Sequence, residues 1–143
     1  MKRIGRLLLF TTLFLPLGKV TSQTQTHTED TFKVERDADV PELPFPDNAD
    51  PTVCGIPVPF GEDNQAWLTG IYQGELIQPT VFLYDSHARR SITGRAPSGA
   101  EVEVVLSQTN PTLNYYLVRT VGDAVQEGWI PAPFLSFEPP GGS

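Results

Sequence analysis

GWIPAPFL, residues 128–135, is the stretch that decides the fold prediction for this 143-residue chain. It places four large apolar side chains, one each of Trp, Ile, Phe and Leu, among glycine and proline residues that favour turns. The pattern predicts a short final strand with a turn built into it. Residues 102–106 and 113–121 are β-rich runs upstream, and a two-stranded hairpin alone is marginally stable in water. Three or more strands must therefore share one small core.

Further segments with strand-like composition precede these runs. They are 67–72, 75–77, 80–84 and 92–96. Residues 101–104, at the start of the 102–106 run, alternate glutamate with valine, which is typical of a strand with one solvated face. Because no long amphipathic helical pattern is present in the sequence, we predict an all-β protein.

The strand at 113–121 has two faces, and its arginine distinguishes them. Alternation places Tyr115, Leu117 and Arg119 on one face and Tyr116 and Val118 on the other. Since arginine is a poor core residue, we predict that Tyr116 and Val118 point inward and that the Arg119 face points outward. The expected core also includes three residues from the neighbouring runs: Val104, Ile130 and Leu135.

The N-terminus has the layout of a secretory signal. Lys2, Arg3 and Arg6 precede an apolar run of about 11 residues, too short for the roughly 20 that span a bilayer, followed by small residues up to Ser22. We expect residues 1–22 to be removed and the protein to be periplasmic or extracellular, with no transmembrane span after cleavage. Cleavage would leave 6 basic against 17 acidic residues, a formal charge of −11 instead of −7. Such a charge disfavours binding to nucleic acid or to anionic lipid.

Residues 23–60 are acidic and rich in proline. We predict a disordered leader that stiffens into an extended, polyproline-like strap over residues 40–60. Its apolar residues either anchor a partner or pack on the protein's own domain; they are Leu43, Phe45, Val53, Ile56, Val58 and Phe60. The β-domain is expected to span 61–136, followed by a flexible tail at 137–143.

Three segments resemble, in order, those of the bacterial SH3-like domain. Residues 97–104 resemble its turn and valine-rich strand, Tyr115-Tyr116-Leu117-Val118-Arg119 resembles its Trp-Tyr-Lys-Val-Arg strand, and residues 128–135 resemble its closing strand and turn. The match covers about residues 80–135, and residues 83–91 replace the family's Asn-Val-Arg-Ser-Gly-Pro segment. The resemblance implies a small, partly open SH3-like barrel and a binding module that takes cell-wall or peptide ligands rather than a catalyst.

The sequence offers little for catalysis. After the signal, the non-carboxylate candidates are His27, His87 and the single cysteine, Cys54, for which we favour burial. A Cys54 thiolate with His87 and Asp85 behind it would lack any family-specific signature, and Asp85 with His87 supplies too few metal ligands. Glycines are scattered at turns instead of forming a phosphate-binding loop. We therefore predict no enzyme activity, no metal and no cofactor.

Aromatic and arginine residues are the remaining functional signal, because they are enriched in interaction hot spots. The predicted partner-binding residues are Tyr84, Arg89, Arg90, Tyr115, Leu117, Arg119 and Trp129. Together they would form a groove with an apolar floor and an exposed basic rim, which the strap at 40–60 could itself fill. The alternative is that the arginines balance nearby carboxylates while the aromatic residues cover the barrel. Two functions stay open: a structural subunit docked on an envelope or membrane-associated complex, and a module that binds cell-wall glycan or peptide.

Overall fold

The computed structural model describes residues 35–46 and 54–141. Within these ranges the protein is all-β, as predicted, and its only helical element is a 3₁₀ turn at Ala132–Phe134. The strands are β1 Val58–Pro59, β2 Gln65–Leu68, β3 Ile71–Tyr72, β4 Glu75–Leu76, β5 Thr80–Tyr84, β6 Ile92–Pro97, β7 Glu101–Gln108, β8 Tyr115–Thr120, β9 Glu127–Pro131 and β10 Leu135–Ser136.

One antiparallel sheet carries most of these strands, in the order β10-β2-β7-β8-β9-β5-β6. β1 pairs with β7 beyond the end of β2, and β3 pairs with β4 in a separate hairpin. The terminal strands of the order, β10 and β6, do not pair with each other. The sheet is therefore curved but partly open, rather than a closed barrel.

The curvature depends on residues 128–135, which form most of β9, the 3₁₀ turn and the start of β10. β9 pairs with β8, whereas β10 pairs with β2 on the far side of β7, and only the 3₁₀ turn connects them. Thr69 N–H donates to the carbonyl of Phe134 at 2.9 Å, which holds the end of that turn against β2. Gly128 is required on β9 because a Cβ there would lie 2.7 Å from Cβ of Leu83.

The core lies inside the curve of the sheet. It contains Phe45, Ala66, Leu68, Val81, Leu83, Ala96, Val102, Val104, Val118, Ile130 and Phe134. The predicted inward orientation of β8 is confirmed, since Val118 is fully buried and Tyr116 packs against the core with its side chain half-buried. Leu135 packs there in the same way. Full burial of a side chain such as that of Val118 contributes about 1.5 to 3 kcal/mol.

Part of the predicted arm belongs to the folded domain. Phe45 is buried, and its ring lies edge-to-face with Phe134 at 5.6 Å and with Tyr72 at 5.4 Å between centroids. Phe60 packs against the core as well, and Val58–Pro59 forms β1. For these residues the structure agrees with the strap packing on its own domain. The signal at 1–22 and residues 23–34 and 47–53 of the arm lie outside the described residues.

The chain also packs beyond β10. Phe137 stacks on Phe60 with ring centroids 5.6 Å apart and planes inclined by 10°. A Cβ on Gly99 would lie 3.8 Å from Cγ of Pro140, so residues near the C-terminus contact the turn between β6 and β7. Phe137 and Pro140 thus lie beside the domain, within the segment for which a flexible tail is predicted, and residues 137–141 are exposed.

Replacing Phe45 with alanine should destabilise the domain by about 3 to 5 kcal/mol, because it removes a buried aromatic side chain from contact with Phe134. Val125→Ala is the matched control: that side chain is 60% exposed, so its loss should change the free energy of unfolding by less than about 0.5 kcal/mol. Denaturant unfolding measures both. Equal stability of the two variants would show that the arm contributes nothing to the core.

Candidate functional site

A row of apolar side chains crosses the outer face of the sheet. Leu106 lies opposite Leu117, and Leu117 lies opposite Trp129 on the next strand. Residues opposite each other in an antiparallel pair point to the same face. All three side chains are half-buried, and none belongs to the core cluster. We call Leu106, Leu117 and Trp129 the outer row.

Charged residues border the outer row on one side. Arg119 lies between Glu103 and Glu127 on the neighbouring strands. Its Nη2 and Nε donate to Oε2 of Glu127 at 2.7 and 3.1 Å, and both side chains are exposed. An exposed pair of this kind contributes at most about 1 kcal/mol to stability. Its main effect is to give the outer row a polar margin.

The loop between β5 and β6 covers the other end of this face. Tyr84 lies opposite Trp129 in the register, and Tyr115 precedes Leu117 by two residues on β8, yet both tyrosines are fully buried. The ring of His87 meets Tyr115 edge-on at 6.2 Å, and the guanidinium of Arg89 lies 6.0 Å from the Tyr84 ring centroid. The expectation that Tyr84 and Tyr115 are exposed is therefore wrong. Strand alternation identified the face, but it could not show what covers that face.

Asp85 organises this loop. Its Oδ1 accepts hydrogen bonds from the backbone N–H groups of Arg90 and Ser91 at 3.0 and 3.2 Å. Its Oδ2 lies 3.5 Å from Nε of Arg90, whose side chain is 60% exposed. The Asp85 carboxylate thus shapes the loop.

The arm holds the same loop from outside. Arg36 donates through Nη2 to the carbonyl of Ala88 at 3.2 Å, and Asp37 N–H donates to the carbonyl of Arg90 at 2.8 Å. Arg89 adopts a left-handed backbone with φ of 51°, which directs the chain back toward the protein. These contacts explain why the loop lies over the tyrosines.

Arg89 is an interior residue. Only 3% of its surface is exposed, and its guanidinium lies 5.6 Å from the ring centroid of Phe45 as well as close to Tyr84. An arginine between two aromatic rings gains cation–π attraction that offsets part of its desolvation. The prediction that Arg89 lies on an exposed basic rim is wrong, whereas Arg90 is on the surface.

Burial raises the pKa of Tyr84, because the phenolate would lose its hydration. The positive charge of Arg89 opposes that change, and the side chain of Gln78 favours the ionised form to a smaller extent. The Tyr84 hydroxyl nevertheless has no hydrogen bond of standard geometry among the described residues. Tyr84 is therefore a neutral, interior group at neutral pH.

Within residues 35–46 and 54–141, no group of three or more His, Cys, Asp or Glu side chains is arranged to hold a metal ion. Cys54, predicted to be buried, is half-buried and forms no disulfide. No helix in the described part of the chain is long and apolar enough to cross a membrane.

Leu106 is a member of the site that the sequence pattern did not predict. The register between β7 and β8 shifts between Val104 and Leu106, so simple alternation along β7 fails there. This irregularity is what aligns Leu106 with Leu117. A β-bulge has no clear signal in the side chains of a valine-rich strand, so only the pairing could reveal it.

No protein-family model matches the chain, and neither the curated proteins nor the solved structures give a match. The resemblance to the bacterial SH3-like domain therefore depends on the quoted sequence segments. It stays a prediction beside the all-β, partly open fold that the structure has.

The raised pKa of Tyr84 predicts how the stability of the protein changes at alkaline pH. Because the pKa of Tyr84 is raised in the folded state, the folded protein keeps a proton that the unfolded chain loses above about pH 10. Tyr84 therefore makes its full contribution to stability below the pKa that it has in the unfolded chain. This contribution falls as pH rises toward the higher pKa that Tyr84 has in the folded protein. Tyr84→Phe should therefore lose less stability than the wild type between pH 9 and about pH 11. Parallel slopes of Tm against pH for the two proteins would contradict this assignment.

Proposed function

We propose that this chain is an exported, non-catalytic accessory protein, an SH3-like module that docks on a larger envelope or membrane-associated complex as a structural subunit. The outer row is the observation that carries the proposal. Leu106, Leu117 and Trp129 form a continuous apolar strip whose side chains are only half-buried. A partner would remove the rest of their surface from water, at about 25 cal/mol for each Å².

The composition of this surface supports a protein partner. Tryptophan and arginine are enriched at hot spots of protein interfaces, and Trp129 lies near Arg119 at one end. Arg90, with its exposed side chain on the loop beyond Tyr84, supplies a second polar contact near the other end. Tyr84, Tyr115 and Arg89 are buried beside one end of the outer row, so their effect on binding would be indirect.

Binding of cell-wall glycan or peptide is the alternative function. The half-buried indole of Trp129 favours it, since a tryptophan side chain combines a large apolar ring with an N–H donor. A simple fractionation experiment distinguishes the two functions. A structural subunit co-purifies with its complex at constant stoichiometry, whereas a wall-binding module sediments with purified sacculi.

Trp129→Ala should weaken capture of the native complex by about 1 to 3 kcal/mol, the range of interface anchors. Val125→Ser is the control, because it changes an exposed apolar residue away from the outer row. Tagged variants would be purified from native envelope fractions, with partner stoichiometry measured by mass spectrometry and folding checked by circular dichroism. Undiminished capture by a folded Trp129→Ala protein would exclude the outer row as the docking surface.

Removal of residues 1–22 on export would leave a mature protein that begins at Gln23. The basic start, short apolar run and small residue at Ser22 motivate this expectation. Intact-mass measurement of the protein from its native host should find a chain that starts at or near Gln23. A dominant species that retains Met1 would contradict cleavage and would indicate an uncleaved anchor instead.

A further inference from the structure

The arm crosses the outer face of β5 as a strap fixed at both ends. At one end, the backbone N–H of Asp37 donates to the carbonyl of Arg90, and Val40 N–H donates to the carbonyl of Asp37 at 3.1 Å. At the other end, Phe45 is buried in the core. Residues 38–44 bridge these two anchors.

Two cavities flank this bridge and meet at Phe82. One has a volume of about 310 Å³ and lies between the arm and the chain that enters β5. The other has a volume of about 560 Å³ and extends from Asp39 along β6. Both are of the size that binds small ligands or short peptide segments. We call the two cavities together the strap groove.

The walls of the smaller cavity favour an apolar, extended ligand, whereas polar groups line much of the larger cavity. Pro41, Pro44 and Pro79 line the smaller cavity beside Leu43 and Ile77. Prolines have no N–H donor, so these walls offer shape and apolar surface rather than a strand edge. A ligand here would be held by side-chain contacts in an extended or polyproline-like conformation.

Strand addition is also blocked on the β6 side. The backbone N–H of Arg95 already donates to Oε1 of Gln126 at 2.9 Å, and Pro97 has no N–H at the end of the strand. Protection of an edge in this way is how proteins prevent non-specific β-pairing. Recognition in the groove must therefore depend on the groups that line it.

Arg95 gives the groove its charge preference. It lies opposite Phe82 in the register, so both side chains share the outer face. Arg90 and Arg119 are exposed arginines that pair with Asp85 and Glu127. Arg95 is exposed too, but it forms no ion pair with any residue in the described ranges.

The chain has a formal charge of −7, and Arg95 forms no ion pair with the carboxylates of the described residues. Arginine binds carboxylates through two parallel hydrogen bonds, and this geometry suits a carboxylate placed over Phe82. Asp39 lines the same cavity without an ion pair among the described residues. It would accept an N–H group further along the ligand, which fixes the direction of binding.

We propose that the strap groove binds an extended, apolar peptide segment of a protein partner, with a carboxylate of that segment paired to Arg95. Phe82 forms the floor of the site, and the prolines of the arm form one wall. The site does not involve the outer row and does not depend on its docking role. A peptide bound here would hold the partner beside the arm.

The test uses the full chain and a fluorescein-labelled pool of hexapeptides with Pro, Leu or Val at the first five positions and glutamate at the last. Fluorescence anisotropy should show saturable binding to the wild type, and Arg95→Gln should weaken it at least tenfold. A matched pool with amidated C-terminal glutamine should bind both proteins equally weakly. Because Arg95 is exposed, Arg95→Gln should leave the melting temperature unchanged, which separates binding from folding.

Two further proteins complete the experiment. Val125→Ala should bind the pool as the wild type does, and Trp129→Ala should do so too, even if it loses capture of the native complex. Equal affinity of wild type and Arg95→Gln for the glutamate pool, or no saturable binding by the wild type, would overturn the proposal. Displacement of the pool by soluble muropeptides at lower concentrations than by unlabelled pool would also overturn it, in favour of a cell-wall ligand.

Discussion

The contact between Phe134 and Phe45 is the interaction on which the rest of the structure depends. Phe134 is fully buried in the turn that joins β9 to β10, and its carbonyl holds β2 through Thr69. Phe45 comes from a segment 89 positions earlier and closes the core against that ring. One edge-to-face pair thus links the arm to the element that curves the sheet.

The Arg89 side chain connects this aromatic pair to Tyr84 on the outer face of the sheet. The Arg89 guanidinium lies over Phe45 on one side and near Tyr84 on the other, so the core is continuous with the covered end of the outer face. An interior arginine is tolerable only while aromatic rings and polar partners replace its water. The loop at 85–91 and the arm consequently depend on each other, since Arg36 and Asp37 hold the loop that brings Arg89 inward.

This arrangement leaves two different surfaces on the molecule. The outer row is a convex, apolar strip on β7 to β9 that suits a broad protein interface. The strap groove is concave, and the arm itself builds one of its walls. Docking of the arm therefore covers part of the sheet and at the same time creates a site beside it.

The sequence by itself determined the all-β class and the inward face of β8, because alternation is a local property that Arg119 makes unambiguous. It also placed Tyr115 and Leu117 on one strand and Trp129 on the closing strand near the C-terminus. Only the tertiary structure decided that Tyr84, Tyr115 and Arg89 are interior while Leu117 and Trp129 keep part of their surface. The reason is physical: a residue's face follows from its own strand, whereas its burial depends on which distant segment, here the loop at 85–91 and the arm, packs over it.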